Sequence, residues 1–135
     1  MPKKILALVS EPISADALRS AVGPETAADA EVLVVAPAMN TRTRFFLADP
    51  DPAIERAEAV QEETVERLDE EGIDAAGKSG EADPLLALQD ALVTYDADEI
   101  VLFTHSAGKQ NWLEEGVVEE AKGRFDVPVR HLVVE

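Results

Sequence analysis

Ile100-Val101-Leu102-Phe103-Thr104-His105-Ser106-Ala107-Gly108-Lys109-Gln110-Asn111 decides how the rest of the chain is read. Four apolar residues follow one another without a polar break, then small and polar residues lead into a helical pattern. An unbroken apolar run this short suits a strand covered on both faces, as in a parallel sheet. A strand with one wet face would alternate instead. Strand, loop and helix in that order form the repeating unit of an α/β fold.

The same signature stands at Ile5-Leu6-Ala7-Leu8-Val9 and at Val32-Leu33-Val34-Val35-Ala36. A fourth run, residues 127–134, alternates in part and carries Pro128 near its start. Proline removes a ladder donor, so this run belongs on an edge. Helical patterns fill the gaps. Residues 14–22 place Leu18 and Val22 one turn apart. In residues 51–71, Asp51 is placed to cap, Pro52 suits the first helical position and Gly72 the stop. There Ile54, Ala57, Val65 and Leu68 share a face, with Glu58, Glu62, Glu66 and Glu70 elsewhere. Asp83-Pro84 opens a third helix through Leu85, Leu88 and Leu92, and residues 110–122 give a fourth with Leu113, Val117 and Ala121. Residues 73–79 offer only Ile73, Ala75 and Ala76 before Gly77, and read as a short edge strand. The predicted architecture is a single α/β domain over residues 1–135. Its sheet is open, mainly parallel and five-stranded, with right-handed crossovers and helices on both faces.

Composition narrows the function. Twelve Lys+Arg stand against 28 Asp+Glu, a formal charge of −16, which argues against nucleic acid or an anionic membrane as partner. Aromatic residues make up 4% of the chain, so the core must be built from Val, Leu, Ile and Ala. The absence of cysteine excludes disulfides, thiol catalysis and thiolate metal sites. Met1-Pro2-Lys3-Lys4 is basic, but the apolar run behind it is too short for a signal peptide or a membrane span. The expectation is a soluble, cytoplasmic protein. Most of the acid falls on helix faces, especially in residues 55–71, as a solvated surface would have it. Added salt is therefore expected to raise the melting temperature by screening self-repulsion. A thermal melt between low and moderate salt checks this, and a fall would contradict it.

In an open α/β sheet ligands sit outside the carboxyl ends of the strands. The candidate loops are residues 10–13, 37–50 and 104–111. Gly108-Lys109 is close to the end of a phosphate-binding P-loop, but Gln110 stands where Ser or Thr is required and Phe103 where the first glycine belongs. The dinucleotide pattern of three glycines after the first strand is missing; Ser10-Glu11-Pro12 stands there. His105 is placed to polarise a phosphate or, more simply, to end a strand. Arg42 and Arg44, beside Phe45 and Phe46, form a candidate anion-binding loop; the plainer reading is an aromatic anchor with arginines balancing nearby acid. No nucleophile–base pair, calcium loop or two-histidine zinc motif emerges, so neither catalytic residues nor a metal are expected.

Over nearly its whole length the chain resembles the universal stress protein family, from Lys4-Ile5-Leu6-Ala7-Leu8-Val9, through Asp83-Pro84 and Thr104-His105, to the closing strand. The resemblance implies a Rossmann-like sheet, of the adenine nucleotide alpha hydrolase type, in the order 3-2-1-4-5. The ATP-binding members share a motif G-x2-G-x9-G-[ST], which falls here on Phe103, Ser106, Gly116 and Val117; only Gly116 keeps its residue type. Their aspartate after the first strand corresponds to Ser10, and their adenine contact to the backbone of Val35 and Ala36, followed here by Pro37. The candidate nucleotide-binding residues so implied are Ser10, Val35, Ala36, Thr104, His105, Ser106, Gly108, Gly116 and Val117. The leading expectation is a non-catalytic stress-response or regulatory domain, with the cofactor left open: none, or ATP or AMP with Mg2+ if the altered site works. The alternative is a sensor that keeps ATP or AMP, with Mg2+, in an altered site. The resemblance also implies a homodimer across the last strand, with Val129, His131 and Val133 at the interface.

Overall fold

A computed structural model describes residues 3–9, 11–37, 51–79, 84–105 and 117–134. In chain order the elements are β1 (Lys4–Leu8), α1 (Ala15–Val22), α2 (Pro24–Asp29), β2 (Glu31–Ala36), α3 (Asp51–Glu70), β3 (Asp74–Ser79), α4 (Pro84–Thr94), β4 (Glu99–His105), α5 (Val117–Arg124) and β5 (Val129–Val134). The strands form one sheet in the order β3-β2-β1-β4-β5, and every neighbouring pair is parallel. The α/β architecture and strand order expected above are those observed.

Period-two geometry sends alternate residues of each strand to opposite faces. On one face Ile5, Ala7, Val32, Val34, Val101 and Phe103 pack with Leu18 of α1, Ala27 of α2 and Ala57, Val60 and Leu68 of α3. On the other, Leu6, Leu8, Val35, Ile100 and Leu102 pack with Leu85, Leu88 and Ala91 of α4 and Ala121 of α5. Both faces of the three central strands are covered, with Leu33 of β2 half-buried, which is why their sequences run apolar without alternation.

Local signals set the helix ends. Ser14 accepts a hydrogen bond from the Ala17 amide at 3.2 Å and caps α1. Gly72, at φ +79°, ends α3 in a left-handed conformation that a side chain would resist. The Ile73 amide then returns to the Leu68 carbonyl at 2.9 Å and the Gly72 amide to that of Asp69 at 2.9 Å, while Leu68 and Ile73 are both buried. That is a Schellman ending with its apolar contact in place.

Three local expectations need correction. Gly23-Pro24 starts a separate helix, α2, where no element was expected. Proline at the first helical position has no amide to leave unpaired, which makes the pair a start signal. On α3 the buried line includes Val60 and Thr64, one turn apart, a stripe that a purely apolar search misses. The closing helix runs on to Arg124 rather than stopping at Lys122; residues 110–116, where it was expected to begin, lie outside the described residues. The weak edge strand was read correctly. β3 pairs with β2 alone. Gly77 faces α3, where an added Cβ would displace the end of the Gln61 side chain and approach Val65 Cγ2 to 3.3 Å.

Candidate functional site

The described residues at the carboxyl edge of the sheet include the end of β1 with Glu11, Pro12 and Ile13, the end of β2 with Pro37, the first turns of α3, and the end of β4. The loop after β1 is tied to α3 twice. The Ile13 amide donates to Thr64 Oγ1 at 3.3 Å, inside the core. Glu11 Oε1 accepts from Arg56 at 2.7 Å across the opening. Arg56 is therefore a positive counterweight at this edge, and the acid of Glu11 is not bare. No local pattern signals this pair, because the partners are 45 positions apart and meet only when α3 crosses the sheet.

Val35 and Ala36 end β2 and are buried. The Val35 carbonyl already accepts the Val9 amide at 3.0 Å, and Pro37 offers no amide. Backbone capacity for an adenine ring is thus partly used at this strand end. Phe103, at the first motif glycine, is fully buried in the cluster with α1 and α3. Its ring is core material and does not project over the sheet's edge. Thr104 and His105 end β4, in register with Val133 and Val134 of β5. Val117 opens α5 and brings no hydroxyl to it. Ser10, Arg42, Arg44, Ser106, Gly108 and Gly116 lie outside the described residues. The structure therefore brings together the ends of β1, β2 and β4, as the fold requires, and adds Arg56. Among the described residues no group of His, Asp and Glu is arranged to hold a metal ion, and no helix is long and apolar enough to cross a membrane.

β5 forms the other candidate surface. It is the last strand of the sheet and pairs with β4 alone. Val129 is half-buried, His131 is exposed and Val133 is 49% exposed; alternation places all three on one face. Burial and the nearby Lys122 hold the His131 imidazole below its ordinary pKa.

Among the described residues the one buried charge lies at the amino edge, and nothing in the sequence analysis singled it out. Glu99, the first residue of β4, is 3% exposed. Its Oε2 accepts from Arg130 Nε of β5 at 2.5 Å, and its Oε1 lies 2.8 Å from Lys3 Nζ, an ion pair outside good hydrogen-bond alignment. Burial alone would push the Glu99 carboxyl up, but the Lys3 ammonium and the Arg130 guanidinium outweigh it and hold the pKa below its usual range. Beside it, Tyr95 donates to the Glu31 carbonyl at 2.8 Å, and the Lys4 amide donates to Asp98 at 2.9 Å. A charged residue at the head of an apolar run was the available signal.

No family model matches the chain, and no curated protein matches it by sequence. Among solved structures, a universal stress protein family protein from Arabidopsis thaliana with AMP bound is similar to it. The TM-score is 0.67 and the identity 12%, over 99% of this chain and 93% of that one. The chain shares the universal stress protein fold. At this identity the scaffold carries over and the ligand does not, because function lives in sites placed on folds.

Proposed function

We propose that the chain is a non-catalytic, cytoplasmic universal stress protein-like domain. It acts in stress response or regulation as a homodimer joined through β5. The observation that carries this reading is the end-to-end match of 99% of this chain to 93% of the other. The same scaffold thus accounts for both chains over the lengths compared.

Charge supports the choice of β5. Residues 51–71 hold nine carboxylates against Arg56 and Arg67, whereas residues 117–134 hold Glu119, Glu120 and Asp126 against Lys122, Arg124 and Arg130. Copies of a chain at −16 repel over most of their surface and approach best through a balanced edge. Pairing also covers an open strand edge. Light scattering is expected to show a dimer at roughly tens of micromolar, the range for a modest interface, and Val133→Asp is expected to give a folded monomer. A monomeric wild type would sink the dimer.

Arg56 and the AMP named with the similar structure favour a second reading, a nucleotide sensor with an altered phosphate site. Absorbance and mass spectrometry of the denatured protein, with calorimetry against ATP, ADP and AMP with and without Mg2+, separate the two. The first reading expects no nucleotide, no heat and no turnover. The second expects binding that weakens in Arg42→Ala/Arg44→Ala and in Arg56→Ala.

A further inference from the structure

Among the described residues Glu99 is the one buried charged side chain. It sits on β4, between β1 and β5 in the sheet. Its two cations come from opposite ends of the chain: Lys3 from just before β1 and Arg130 from β5. Their side chains are 42% and 54% exposed, so each can be solvated alone, while the carboxylate cannot. We propose that Glu99 is an electrostatic clasp through which the charge of Lys3 holds the edge strand β5 in place.

The argument is one of dependence. β5 has a single ladder neighbour, and its residues are half-buried or exposed. Besides its ladder, the contacts that hold β5 include the partial packing of Val129, Leu132 and Val134 and the bond of Arg130 to Glu99. A buried carboxylate stays ionised only while its charge is met on all sides. Without the Lys3 ammonium, the desolvation of Oε1 is unopposed. Glu99 then takes up a proton or draws in water, and Arg130 loses a fully charged acceptor in a low-dielectric setting, where that charge counts most. A change at residue 3 is thereby felt at residue 130, with no contact between the two needed. The clasp belongs to the fold's own edge and holds whether or not a second copy docks there.

Hydrogen exchange at a concentration where sedimentation shows single chains tests this apart from dimerisation. In Lys3→Gln the laddered amides of β5 are expected to exchange about tenfold faster while those of β3 keep their rates, a local rather than global opening. Lys3→Arg is expected to stay near wild type. In a Glu99→Gln background, Lys3→Gln is expected to add nothing further at β5. Unchanged β5 exchange in Lys3→Gln, equal acceleration of β3 and β5, or the same added effect without the Glu99 charge would each overturn the proposal. Should Glu99→Gln fail to fold, the contrast between Lys3→Gln and Lys3→Arg decides alone.

Discussion

Replacing Phe103 with glycine, as the nucleotide motif would have it, is expected to cost about 3–5 kcal/mol of stability, the range for deleting a buried ring. It is not expected to make the chain hold a nucleotide better. The ring is fully buried among Ile5, Val101 and the residues of α1 and α3, so its removal leaves a cavity between sheet and helices. Glycine in a central strand adds backbone entropy to the loss. Urea denaturation gives the stability change, and calorimetry with ATP and AMP gives the binding. A loss below about 1 kcal/mol would mean that the ring is not the core residue described here, since such small values belong to surface sites. New nucleotide binding would mean that Phe103 had been blocking a site.

The second large effect concerns Glu99 and has a definite order. Arg130→Met keeps much of the stem but leaves a buried carboxylate with Lys3 alone. It is expected to cost about 3 kcal/mol, the low end for breaking a buried pair, because one cation remains. Glu99→Gln is expected to cost less, because Lys3 and Arg130 are half exposed and water can solvate them. The reverse order would show that the carboxylate is not truly out of water. The same pair sets the acid response. The folded pKa of Glu99 lies below its ordinary 4.5, so the folded state binds this proton less readily than the unfolded chain does. The stabilisation is fully present above about pH 4.5, the unfolded value, and is lost as pH falls through the depressed folded value. Stability measured from pH 6 downward is expected to fall more steeply in wild type than in Glu99→Gln. Comparing the two also removes the shared relief of acidic self-repulsion. Parallel acid profiles would contradict the assignment.

What was legible in the sequence divides along physical lines. Three unbroken apolar runs called for strands with both faces covered, and Val32, Val34, Val35 and Ala36 are indeed dry. Gly72 announced the end of α3 because few other residues tolerate its positive φ. Pro128 marked the edge strand, since a proline in a central strand would leave a ladder bond unmade. These are local effects, carried by residues within a turn or a pleat of one another. The strand order came from the family resemblance rather than from any single run. The pairing confirms it.

The charges were beyond local reading. Lys3, Glu99 and Arg130 are scattered through the chain, and Glu11 and Arg56 stand on different elements. Only the parallel register Ile100↔Val129 and Ile5↔Glu99 brings the first three to one end of the sheet. Only the crossing of α3 brings Arg56 to Glu11. Thr64 reads as a polar break in a helix stripe until the Ile13 amide arrives to use its hydroxyl. The sequence by itself determined where the chain must be apolar, and hence a layered α/β sheet, because burial acts on each segment alone. The tertiary structure decided which of many similar carboxylates loses its water. Desolvation of one oxygen depends on what the whole fold stacks over it.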